Sequence, residues 1–410
     1  MAVKADAAAR LFDISCDRVT WAILDGGIDR DHPAFFDWAQ AHRTDRPRPN
    51  RIDWTYDFTE VRDMLDPAAM SALAKRDDQT LTAVERRLRQ RLETNLAEMG
   101  TGNPADAAGR YARETYHRLT DGLEIDWALL EPSLRDLDPP APVTGHGTHV
   151  AGILGADWRE ETIGEDKTVA EGSPVMQGVC PDIRLFDMRV LKAGGTVNEF
   201  EVIAALQFIA YLNRRADTQL VQGANLSIET PHNVDNYACG STPVCEQCNR
   251  LWASGVVLVA AAGNRGHQHY QMASGEQLGG YHAISITDPG NADGVITVGS
   301  THAQAHRFGV SYFSSRGPTG DGRRKPDLVA PGEQIEGPVP GGGESCANGT
   351  SFAAPHVSGA AALLMSRFGE LRSHPDRIRQ ILCRTATDLG REPYFQGAGM
   401  VDVLRALQSI

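Results

Sequence analysis

Short runs of β-branched and other apolar residues recur along the chain: VTWAILD (19–25), IRLFDMRVL (183–191), ANLSIE (224–229), GVVLVAAAGN (255–264) and GVITVGS (294–300). Runs of this length and character read as buried strands of a parallel sheet. Helical periodicity separates some of them. In NEFEVIAALQFIAYLNRR (198–215), Val202, Leu206, Ile209 and Leu212 fall on one face. Asn198 is placed to cap that helix, and Glu199, Glu201, Arg214 and Arg215 complement its dipole. Strands alternating with helices predict an α/β fold with a parallel central sheet flanked by helices.

One region breaks the alternation. From about 61 to 140 the chain is rich in Arg, Glu, Leu and Ala. LTAVERRLRQRLETNLAEM (81–99) spaces Leu81, Val84, Leu88, Leu92, Leu96 and Met99 as a helix, with Glu85 and Arg89 set for an i, i+4 pair. AAGRYARETYHRL (107–119) is a second helical stretch, and DPPAPVTG (138–145) is a proline-rich exit. The expected organisation is therefore an α/β body formed by 1–60 and 141–410, interrupted by a mainly helical insertion at 61–140. The insertion's apolar stripes must bury against the body, a second copy of the chain or a partner, making it a lid, an exosite or an assembly element.

Composition narrows the partners. The 410 residues carry 53 acidic and 40 basic side chains, a formal charge of -13. Such a surface repels phosphate backbones, which argues against nucleic acid as a partner. No run reaches the length of a membrane span, and the N-terminal residues lack a secretory apolar core. Seven cysteines cannot all pair within the chain, which fits a reducing compartment. A chain starting natively at Met1 is expected in the cytoplasm; one trimmed from a longer precursor is expected to be secreted.

The candidate chemistry lies at the strand and helix ends. Asp25 closes the first strand ahead of Gly26-Gly27, where α/β sheets place their sites, although a turn-capping Asp reads the same way. His146 stands between two glycines in GHGTHVAGIL (145–154). A metal pair with His149 is disfavoured because no Glu separates them as in zinc proteases, and His149 reads as a packed structural histidine. Asn264 ends VAAAGN, either as a left-handed turn or as an amide donor to an oxyanion. Ser351 is the third residue of GTSFAAPHVSG (349–359), as a helix cap or as a nucleophile.

Together these residues carry more than any one of them. LDGGID, GHGTHVAGI, VAAAGN, YFSSRGPTGDGRRKPDLVAPG and GTSFAAPHVSG, in that order, resemble the motifs of the subtilisin-like (subtilase) serine proteases from about Trp21 to Leu407. GAGMVDVLRAL (397–407) resembles the end of that family's catalytic domain. The resemblance implies a subtilisin-like fold and a serine endopeptidase with Asp25, His146 and Ser351 as its triad. Asn264 and the Ser351 N–H would form the oxyanion hole. Two positions depart from the family: Gly26 replaces the usual Thr or Ser, and Phe352 the frequent Met. The long separation of Asp25 from His146 is a third departure.

The resemblance also points to the substrate groove. Ala193, Gly194 and Gly195, with Ser227, Ile228 and Glu229, resemble the two segments that hold an extended peptide. Glu229 and Arg265 would bias the residue before the cut, or pair with each other. Alternatives in function are an exopeptidase or a precursor-maturation protease whose groove the insertion restricts. Of another class is a catalytically inactive peptide-binding scaffold. The chemistry requires no cofactor. His232, Cys239, Cys245 and Cys248 are weak zinc candidates, with free thiols or a disulfide favoured over the metal. Structural calcium is common in the family, and DFTEVRDMLD (57–66) is an acidic stretch for it.

Overall fold

A computed structural model describes residues 3–410 apart from 39, 41–48, 76–80, 164–168, 193, 196, 231, 273–274, 276 and 306–308. Its centre is a sheet of seven strands: β1 (Thr20–Asp25), β2 (Ile52–Asp57), β3 (Arg184–Arg189), β4 (Gly223–Leu226), β5 (Val257–Ala261), β6 (Ile296–His302) and β7 (Leu328–Glu333). All neighbouring pairs are parallel, in the order β7–β6–β5–β4–β1–β3–β2. The five strands expected from apolar runs all lie in it. β2 and β7 are the additional members. IDWTYD mixes exposed and buried positions because it is an edge strand, and the Pro-Gly of LVAPGE hides a strand in the sequence.

Helices flank the sheet in two packed pairs. The insertion contributes α1 (Pro67–Lys75), α2 (Ala83–Glu98), α3 (Pro104–Thr120) and α4 (Trp127–Leu134). The body then adds α5 (His146–Gly155), α6 (Glu199–Arg215), α7 (Pro243–Ala253) and α8 (Thr350–Arg367). α5 packs on α8, and α6 on α7. α8 is buried along almost its whole length and packs on β4 to β7, which explains its small apolar sequence. In α6, Asn198 caps the first turn by accepting the Phe200 N–H at 3.1 Å, and Val202, Leu206, Ile209 and Leu212 are buried.

The segment 61–140 packs against the α/β body. Leu88, Trp127, Leu130 and Leu134 belong to the same core as the sheet. Trp127 and Tyr56 of β2 both meet Phe208 of α6, with ring centroids 5.8 and 4.7 Å apart. Glu131 pairs with Arg215 and accepts the Tyr211 hydroxyl at 3.1 Å. Smaller clusters, Met70–Leu73–Leu81–Ala112 and Leu92–Leu96–Ala107–Ala108, hold the insertion's helices to one another.

Two local expectations are revised. Glu85 closes a capping box with Thr82, and Arg89 reaches forward to Glu93 at 2.9 Å; Glu85 is spent on the free N–H groups of the first turn. Met99 follows the helix end and is exposed, so the apolar stripe stops at Leu96.

Candidate active site

β1 ends on Asp25, which is fully buried and whose Oδ1 accepts the Gly26 N–H at 2.7 Å. Its Oδ2 meets His146 Nδ1 at 2.8 Å. An ionised carboxylate only accepts, so Nδ1 carries the proton of the neutral ring and Nε2 is left as a base. Burial alone would lower the His146 pKa; the charge and hydrogen bond of Asp25 outweigh it and raise the pKa above 6.5. Gly147 permits the approach of α5 to β1, since a Cβ there would lie 2.5 Å from the Gly27 carbonyl oxygen and 3.0 Å from Asp25. Gly26 is also set by crowding: a Cβ would stand 3.1 Å from Thr144 Oγ1, which accounts for the departure from Thr or Ser.

Ser351 lies in the first turn of α8, whose buried Thr350 fixes the turn to β5. The Thr350 N–H and hydroxyl both donate to Asn264 Oδ1, at 2.9 and 3.1 Å, and Thr350 Oγ1 accepts the Gly263 N–H at 3.1 Å. With Oδ1 occupied, the Asn264 amide Nδ2 is the end left for a ligand. The Ser351 backbone is held from below: Ser358 donates to Asn225, Asn225 to Ser227, and Ser227 to the Ser351 carbonyl at 2.6 Å. The Ser351 hydroxyl donates to the Ser227 carbonyl at 3.3 Å. Thr350, Asn225 and Ser358 were not identified as site residues in the sequence. Their small hydroxyls and amide lie in otherwise apolar runs, and that is the signal they leave.

His146, Asn264 and Ser351 line one cleft of about 330 Å³ at the carboxyl ends of the central strands, together with Gly195, Ser227 and Ile228. Glu229 also lines it, and its carboxylate pairs with Arg265. Gly194 lies beside Gly195 in a turn closed by the Leu191–Val197 bridge; Ala193 is outside the described residues. His149 is packed under Phe352, with ring centroids 4.5 Å apart, and against Gly337. Burial and the neighbouring His146 lower its pKa to about 4. The same Phe352 ring contacts His146 at 5.3 Å and so backs both histidines.

Among the described residues no group of three or more His, Cys, Asp or Glu side chains is placed to hold a metal. Cys245 and Cys248 are buried on α7, where desolvation raises both thiols, and Cys239 is half-buried elsewhere. His232 belongs to no such cluster. In the acidic stretch, Asp57 is taken by Thr59 and by Arg91 at 3.1 Å, Glu60 by Arg87, and Asp66 caps Ala68. Two of the insertion's arginines, Arg91 and Arg87, thus occupy Asp57 and Glu60.

A buried Asp–His pair, a serine at a helix start and an amide donor sharing one cleft define a serine protease site on a parallel α/β sheet. The comparisons carry the assignment further. The Subtilase family model matches residues 17–400, and the chain belongs to that family. It is 31% identical over 264 residues to Subtilisin DY of Bacillus licheniformis, covering 64% of this chain and 78% of that protein. Subtilisin E of Bacillus subtilis is 30% identical over 277 residues, 67% of this chain and 58% of that protein. Pyrolysin of Pyrococcus furiosus is 29% identical over 64% of this chain, but the match spans 21% of that longer protein. No helix among the described residues is long and apolar enough to cross a membrane.

Proposed function

We propose that this chain is a serine endopeptidase that cuts peptide bonds through an acyl-enzyme. Ser351 is the nucleophile, His146 Nε2 takes its proton and returns it to the leaving amine, and Asp25 orients the ring and stabilises its cation. The Asn264 amide and the Ser351 N–H receive the developing oxyanion. The observation that carries this reading is the 2.8 Å Asp25–His146 bond in a cleft that also holds Ser351 and the Thr350-clamped Asn264. On attack the Ser351 hydroxyl must leave the Ser227 carbonyl and turn to His146, a rotation about one side-chain bond.

An endopeptidase is favoured over an exopeptidase because none of the described residues lining the cleft comes from 61–140. The inactive-scaffold reading leaves the oriented His146 and clamped Asn264 without a purpose. A fluorophosphonate probe should label the native chain and not Ser351→Ala. The same substitution should lower kcat on the order of 10⁶, the loss subtilisin suffers on losing its serine, without loss of fold. Asn264→Ala should lower kcat by about 10²–10³. Labelling or proteolysis retained in Ser351→Ala would reject the assignment.

A further inference from the structure

Arg316 is the most unusual cation outside the catalytic cleft. It is 5% exposed, yet among the described residues no carboxylate pairs with it. Its Nη2 donates to the Tyr312 carbonyl at 3.1 Å, and its Nε is buried without a partner. The guanidinium lies between two rings, 4.9 Å from the Tyr281 centroid and 4.3 Å from that of Phe395. Burial, the largest influence on it, lowers its pKa. An unpaired buried cation is costly, and the cost is relieved by an anion that reaches its free donors.

The surroundings leave room for one. Arg316 lines a cavity of about 550 Å³ together with Tyr281, Tyr312, Phe395 and the exposed Arg391. Glu333 also lines it, and among the described residues it forms no ion pair with either arginine. The cavity is separated from the catalytic cleft by the segment 311–316. The Ser315 hydroxyl accepts the Arg265 N–H at 3.0 Å, and the Phe313 carbonyl accepts the Gly266 N–H at 2.9 Å. Arg316 packs by Gly266, two positions beyond Asn264.

We propose that this cavity binds a peptide carboxylate, with Arg316 as its buried anchor, Arg391 as the rim cation and the rings as walls for an attached apolar residue. A guanidinium fork matches a carboxylate, and aromatic walls suit an apolar carrier. The carboxylate has two sources within a peptide, a chain terminus or an acidic side chain. Its use in holding substrates rests on the proteolytic reading above, while the binding itself does not.

The test is calorimetric titration of the full chain carrying Ser351→Ala with three probes. These are acetyl-Ala-Ala-Phe with a free carboxylate, the same peptide as its amide, and acetyl-Ala-Glu-Phe amide. At least one acidic probe should bind about tenfold or more tightly than the neutral amide, the scale of a charge-assisted pair. Which acidic probe gains identifies the source. Adding Arg316→Met should bring that probe down to the level of the amide, and Arg391→Ala should weaken it less. Failure of this site and failure of the catalytic reading stay distinguishable, because the titrations use the Ser351→Ala chain whereas the fluorophosphonate label tests the native one. Equal binding of all three probes, or acidic binding undiminished by Arg316→Met, overturns the proposal. Should Arg316→Met not fold, the acid-against-amide comparison at native Arg316 and the Arg391→Ala titration decide it on the same terms.

Discussion

The insertion is expected to be a structural part of the protease, and two substitutions put that to the test. Trp127 and Leu130 of α4 are 6% and 3% exposed, and both belong to the core that contains the sheet. Truncating a buried Trp costs about 3–5 kcal/mol, and a buried Leu about 2–5, through lost transfer energy and the cavity left behind. The double variant Trp127→Ala/Leu130→Ala should therefore lose roughly 5–10 kcal/mol, against a total stability on the order of 5–15. Urea unfolding followed by far-ultraviolet circular dichroism reads this directly. Trp127→Ala alone should unfold cooperatively at a lower midpoint, and the double variant should be largely unfolded at 25 °C. Molecules of Trp127→Ala that remain folded should cut a short chromogenic peptide at the native rate per folded molecule, since Trp127 does not line the cleft. Replacing 66–138 with a Gly/Ser linker uncovers Phe208 and Tyr211 and should yield no folded, trimmed protease. Midpoints equal to that of the parent, or a soluble and active deletion variant, would refute the argument that this segment completes the core.

The acid limb of kcat/KM should have its midpoint above pH 6.5, because Asp25 raises the pKa of the His146 base; Asp25→Asn should move it down and lower kcat by about 10⁴. A limb below 6.5 in the native chain would contradict the pairing. Stability should fall as pH drops from 6.5 towards 4, because burial lowers His149 and His356 to about 4 and the unfolded chain takes up protons that the folded chain does not. Urea midpoints at pH 7, 5.5 and 4.5 check this, and equal midpoints would refute it. Glu229→Gln frees Arg265 at the cleft rim and should increase the acceptance of Asp or Glu before the cut in a peptide library; an unchanged profile would place both side chains outside that contact.

What the sequence disclosed follows from which interactions are local. Buried strands such as Val257–Ala261 are apolar throughout and show as runs, whereas β2 mixes buried and exposed positions because it is the edge strand of the sheet. Asp25, His146, Asn264 and Ser351 could be singled out because each lies at or just beyond the end of an element, with a glycine one or two residues away. The Glu229–Arg265 pair could be posed but not resolved, since side-chain direction at a loop is set by neighbours distant in the chain. Thr350 and Ser358 were hidden for the same reason: each is a small polar residue whose partner, Asn264 or Asn225, lies far away in the chain. The hairpin His267–Gln271/Gln277–Tyr281 was missed because its positions are mostly exposed and carry no apolar alternation.

The long excursion between Asp25 and His146 is compatible with a fixed catalytic pair because its return is pinned at the same strand ends. Arg189, which ends β3 in register with Asp25, donates to Asp187 at 2.9 Å and to the Pro140 carbonyl at 2.7 Å. Its guanidinium packs against Gly27, as does Pro142, and the Val143 N–H returns to the Gly26 carbonyl at 3.3 Å. Thr144 then lines the cleft immediately before α5 begins. At the other end, Arg91 of α2 bridges Asp57, the last residue of β2, to Asp136 near the exit, at 3.1 and 3.6 Å. The chain therefore leaves and re-enters the body under ion-pair and backbone restraint, so where His146 meets Asp25 is set at the strand ends and not by the length of the segment between them. That arrangement explains how an arginine-rich segment with no described residue in the cleft is accommodated between two residues whose side chains lie within one hydrogen bond of each other.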